Sequence, residues 1–129
     1  MLFRSAKRMN LERRVWLAGP TSDFQRWVGQ LSVYVMANKR PGLEDAAWAI
    51  SAMASNLPVI APKQAWLEDI INHKTGLLID VADPDTLARQ LIKLQQATET
   101  CERLGKEARL MAQKISFDYF VDSFNKLLS

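Results

Sequence analysis

Cysteine and histidine are almost missing from this sequence: Cys101 and His73 stand alone among 129 residues. A single thiol cannot close an internal disulfide, which fits a reducing compartment. One imidazole with no cysteine near it offers no ligand set, so no metal and no cofactor are expected. No apolar run approaches the roughly 18–20 residues of a membrane-spanning helix. The opening MLFRSAKRMN lacks the apolar centre of a signal peptide. Repeats, low-complexity tracts and a plausible linker are missing too. The expectation is a single cytoplasmic domain over residues 1–129.

Hydrophobic residues make up 48% of the chain and charged residues 24%, which excludes disordered and collagen-like classes. The length allows one domain with a core and not two. Net charge is +3 but unevenly spread: residues 1–40 sum to +6 and residues 41–129 to −3. A basic end can mark a nucleic-acid or membrane-surface partner. No nucleic-acid recognition motif, stacking aromatic pattern or long basic helix accompanies it. A solvated basic face is therefore the expectation, and no nucleic-acid partner is expected.

Short apolar runs alternate with helical periods. Leu2, Phe3, Ala6 and Met9 predict a first helix ending near Asn10. Val15-Trp16-Leu17-Ala18, closed by Gly19-Pro20, reads as a strand buried on both faces. Thr21, Ser22 and Asp23 are candidate caps for a helix carrying Phe24, Trp27, Val28 and Leu31. A second strand is expected at 33–36 and a loop at 38–42. A helix follows from Leu43 to Ser55, ended by a left-handed Asn56. Strands at 58–61 and 77–79 flank a short helix around 66–72. Asp83-Pro84 opens a helix burying Leu87, Leu91 and Leu94. Another over 98–114 aligns Cys101, Leu104, Ala108 and Met111. Ser116 caps a last helix with Phe117, Phe120, Val121, Phe124 and Leu128 inward. Trp16, Trp27 and Trp48 are expected in the core. Strand and helix alternate, so the class is α/β: three layers, with a small, mostly parallel sheet of about four strands between helices.

Three pieces of the middle, and one run before them, resemble a known family. Ala52-Met53-Ala54-Ser55-Asn56-Leu57-Pro58-Val59-Ile60-Ala61 is similar to A-M-A-x-G-x-P-V-I/V-A. Glu68-Asp69-Ile70-Ile71 with Thr75-Gly76-Leu77-Leu78-Ile79 resembles its acid-led helix and T-G-L-L strand. Asp83-Pro84-Asp85-Thr86-Leu87-Ala88 resembles D-P-x-x-L-A, and Arg14–Gly19 resembles R-V-x-F-L-G. The family is that of the retaining GT-B fold glycosyltransferases, and the likeness is to their C-terminal, nucleotide-sugar-binding domain. It implies a truncated Rossmann-like domain and a nucleoside-diphosphate sugar as ligand. In the family, the loop after the second strand-like run and the helix behind it hold that ligand. One Glu at the helix start meets the sugar, and a second, eight residues on, grips the ribose. The resemblance thus points to Gly42, Leu43, Glu44, Ser51, Ala65 and Trp66 as nucleotide-sugar-binding residues.

The chain departs from the family at several of these. Ser51 stands where the second Glu belongs, and a hydroxyl cannot accept two ribose hydroxyls as a carboxylate does. Leu43 takes the position of the first Glu, with Glu44 next to it. Ala65-Trp66 replace a Gly-Gly pair. The family's diphosphate-binding Arg and Lys and its acceptor domain have no counterpart; Arg13, Arg14, Lys39, Arg40 and Lys63 are cations that match neither. Losing that pair removes the main charge stabilisation of a departing diphosphate, so no catalytic residue is assigned and autonomous transfer is not expected. Two readings follow. One is a glycosyltransferase-like domain completed by a complementary glycosyltransferase chain; the other is a non-catalytic interaction or remnant domain with a decayed pocket. In the family, two further strands separate the run at 14–19 from that at 33–36. An unpaired apolar edge makes a homodimer through that edge, or through the first helix, the other candidate assembly.

Overall fold

Three parallel strands lie side by side in chain order in the computed structural model, which describes residues 2–19, 24–115 and 117–129. They are β1 (Tyr34–Val35), β2 (Val59–Pro62) and β3 (Gly76–Ile79). Tyr34 sits opposite Val59, and Val59 opposite Gly76. The helices are α1 (Leu2–Arg8), α2 (Phe24–Val28), α3 (Leu43–Ala54), α4 (Pro84–Gln96), α5 (Thr98–Lys114) and α6 (Phe117–Leu128), with one 3-10 turn at Ala65–Leu67.

The period of two along each strand divides the core. Tyr34, Val59, Ala61 and Leu78 face a cluster built by Ala49, Ala52 and Met53 of α3 and by Leu67, Ile70 and Ile71. Val33, Val35, Ile60, Leu77 and Ile79 face the other way, onto Leu87 and Leu94 of α4. Both faces of the sheet are covered, which gives the three layers. β2 lies between the other two strands and all four of its residues are buried, hence its unbroken apolar run. α5 serves both faces: Cys101 and Leu104 join the second cluster, Ala108 and Met111 the first.

Local signals hold where the chain closes its own hydrogen bonds. Asn56 is left-handed, with φ of 63°, and ends α3. Asp83 caps α4, accepting from the Asp85 N–H at 3.1 Å. α5 has the expected bounds.

Other expectations do not hold. Val15–Ala18 is not a strand, so the sheet has three strands and not four. Among the described residues no strand lies beside this run, and a strand without a neighbour leaves its backbone groups to water. Trp16 is 67% exposed rather than core, and tilts against Trp27 with ring centroids 4.5 Å apart. The helix expected at 66–72 shortens to the 3-10 turn and a loop. Leu91 and Leu128 are exposed, at 36% and 70%, although helical period put both inward. Thr21, Ser22, Asp23 and Ser116, expected as caps, lie outside the described residues. So do Pro20 and the side chains of Leu2, Phe3, Phe24, Phe117 and Phe120.

Candidate functional site

Three loops leave the carboxyl ends of the parallel strands, where ligands of open α/β sheets bind. The first, 36–42, runs from β1 to α3. Gly42 begins that helix and has no side chain to occupy the first-turn amides. Leu43 and Glu44 follow, both exposed on the first turn. The Asp45 carboxylate is turned inward, accepting from the Gly42 N–H at 2.8 Å and from the Asn38 side-chain amide at 3.3 Å. Asn38 in turn accepts from the Arg40 N–H at 3.1 Å. The loop is thus held by its own polar groups, and Glu44 is the carboxylate left facing solvent.

Gln64, just after β2, ties the second loop to the first: its side-chain amide donates to the Lys39 carbonyl at 3.4 Å. Lys39, Lys63, Gln64 and the Asp80–Ala82 loop after β3 line a cavity of about 330 Å³. Asp80 is occupied with its own turn, accepting from the Ala82 N–H at 3.0 Å. Gln64 also lines a second cavity, of about 370 Å³, with Ala65, Trp66 and Asp69 on one side and Lys126 and Leu127 of α6 on the other. Gly42, Leu43, Glu44, Ala65 and Trp66 therefore all stand at the carboxyl end of the sheet. Trp66 is half-buried against the core there, bulk where a glycine would leave space.

Ser51 lies further along α3, at the spacing the resemblance gives for the ribose contact. Eight residues of helix set it about 12 Å along α3 from Leu43. Its hydroxyl donates back to the Ala47 carbonyl at 3.0 Å. That bond commits its proton, leaving only lone pairs for a ligand.

A larger cavity, about 470 Å³, opens at the opposite, amino ends of the strands, lined by Leu31, Val33, Asn56, Pro58, Leu94 and Cys101 among others. The Cys101 thiol lies 3.7 Å from the Ser32 carbonyl. Burial, then the nearby Glu102 charge, push its pKa up, which keeps it a thiol rather than a nucleophilic thiolate. Sequence reading missed Gln64 and the Asp80 loop, because lining a cavity is decided by which loops the sheet brings together. The signal available was position: each lies within two residues of the end of a strand.

No group of three or more His, Cys, Asp or Glu able to hold a metal occurs among the described residues. No helix among them is long and apolar enough to cross a membrane.

A parallel sheet covered on both faces, with its open loops at the carboxyl ends, defines a Rossmann-like domain. Residues 2–97 match the model of the glycosyl transferases group 1 family, and the chain belongs to that family. Solved structures agree in fold. Sucrose-phosphate synthase from Thermosynechococcus elongatus is similar with a TM-score of 0.78 and 25% identity, over 98% of this chain and 32% of that one. A TarM variant from S. aureus, solved with fondaparinux, alpha-GlcNAc-glycerol and UDP, is similar at 0.76 and 25%, over 98% and 26%. The C-terminal domain of the group 1 glycosyl transferase LpcC from Francisella tularensis matches at 0.74 and 22%, over 88% and 59%. The chain thus spans three fifths or less of each of these structures. No curated protein sequence matches it.

Proposed function

We propose that residues 1–129 are one fragment of a glycosyltransferase C-terminal domain that binds a nucleoside-diphosphate sugar and does not transfer the sugar alone. Support for this reading comes from chain order: Gly42, Leu43 and Glu44 follow β1, and Ala65 and Trp66 follow β2, on the same side of a parallel sheet, with the two loops linked by the Gln64–Lys39 bond. The UDP bound to the related TarM variant supports a uridine nucleotide as the first ligand to test. Glu44 is the candidate contact to the sugar, and the first-turn amides of α3 the candidate contacts to phosphate. Ser51, already bonded to Ala47, contributes at most one acceptor to a ribose.

The outer edge of β1 has no strand beside it among the described residues, so a complementary glycosyltransferase chain pairing there is one candidate partner and a second copy the other. The lone, half-buried thiol fits the reducing cytoplasm. A decayed pocket is the second reading, favoured by the serine at 51 and the tryptophan at 66. Calorimetric titration with UDP and UDP-sugars separates the two. Binding at micromolar to low millimolar ligand supports the first, and no heat at several millimolar leaves the second.

A further inference from the structure

We propose that residues 4–17 form a docking surface for an anionic lipid bilayer. Arg4, Lys7, Arg8, Arg13 and Arg14 are all exposed, against one acid, Glu12. Between and directly after them stand exposed apolar side chains: Met9 at 66%, Trp16 at 67%, Val15 at 42% and Leu17 at 43%.

This stretch is held together rather than strung out. Leu11 N–H donates to the Ala6 carbonyl at 2.8 Å and Val15 N–H to the Leu11 carbonyl at 2.9 Å, folding the turn back on α1. Trp16 is anchored on Trp27. Cations and exposed apolar groups therefore stay near one another.

The pairing of charge with exposed aliphatic and indole groups selects the partner. Clustered Lys and Arg attract an anionic headgroup layer, and indole with aliphatic neighbours lodges at the boundary with the acyl chains. Each signal alone gives weak binding; together they give stable, salt-sensitive attachment. Nucleic acid uses the charge but leaves Met9, Val15 and Leu17 in water. A second copy meeting this surface through the same residues brings like charges together.

The test is co-sedimentation of the whole chain with vesicles of phosphatidylcholine, alone or mixed with phosphatidylglycerol. Binding to the mixed vesicles only, weakened by salt, is the expected result. Arg13→Gln with Arg14→Gln weakens it by roughly 30-fold. Trp16→Gln weakens it at unchanged charge, and brominated lipid quenches tryptophan emission less in Trp16→Phe than in the wild type. Circular dichroism confirms that these exposed substitutions leave the fold intact, and the wild-type quenching reads insertion without any variant. Equal binding to neutral vesicles, no binding, unchanged binding by the arginine variant, or retention on RNA in place of vesicles overturns the proposal. Self-association that excludes vesicles overturns it as well.

Discussion

The Gly42 N–H donates to the Asp45 carboxylate across the first turn of α3, at 2.8 Å, and Asn38 shares the same oxygen. This bond from the N-cap amide to the third helical residue supplies one half of a capping box and ties the preceding loop to the start of the helix. Glu44, the candidate sugar contact, stands next to it in the same first turn. Asp45→Ala is expected to lower stability by about 1 kcal/mol, measured by urea unfolding.

The candidate ligand residues differ in what they are free to do. Glu44→Gln is expected to weaken UDP-sugar binding about tenfold, since a charged acceptor is lost. Ser51→Ala leaves the affinity within about twofold, because the hydroxyl already serves Ala47. Calorimetry on both variants reads the difference. A reversal of that order would move the site down the helix.

Tyr34, half-buried on β1, has its pKa pushed above the ordinary tyrosine value, first by burial and then by the Asp45 charge. The folded protein therefore holds this proton more tightly than the unfolded chain does. The stability it contributes is complete below the ordinary tyrosine range and is lost as pH rises through the folded value. Asp45→Asn should bring the Tyr34 titration down, followed by phenolate absorbance in a Tyr119→Phe background.

Asp83 behaves in the opposite sense. Its pKa is lowered, chiefly by the Thr86 hydroxyl at 2.6 Å, with the Asp85 and Thr86 N–H groups and Arg89 adding to it against some desolvation. The associated stability is present above the ordinary carboxylate range and disappears as pH falls through the folded value. Thr86→Val removes the largest cause, so carbon NMR should find the Asp83 titration shifted up.

Gly105 is buried where α5 passes the end of α3, and a Cβ there would overlap the Asn56 carbonyl. Gly105→Ala is expected to cost about 1–3 kcal/mol as the helix is forced away. Gly29→Ala, at a site with open space around it, provides the contrast. Thermal denaturation of the pair distinguishes close packing from a general effect of losing glycine.

The parts of this molecule legible in the sequence are those whose causes are local. Asn56 ends α3 because an amide side chain tolerates the left-handed turn, and Asp83-Pro84 starts α4 because both residues suit a first turn. The run at Val59–Ala61 reads as a central strand because it is apolar on both faces. Of the candidate site, the start of α3 was readable from the Pro41-Gly42 loop and the resemblance to the family. Gln64 and Asp80 were not, since nothing in their neighbourhood says that two loops remote in sequence meet.

Val15-Trp16-Leu17-Ala18 marks the boundary between the two kinds of knowledge. The sequence by itself determined an apolar, strand-forming run, an alternation of strand and helix, and a likeness to group 1 glycosyl transferases. Only the tertiary structure decided that this run stays outside the sheet, that three strands and not four make it, and that Gln64 and the Asp80 loop line one cavity. A strand exists through hydrogen bonds to a neighbour, and a site through the convergence of separate loops. Neither partner is written in the segment itself.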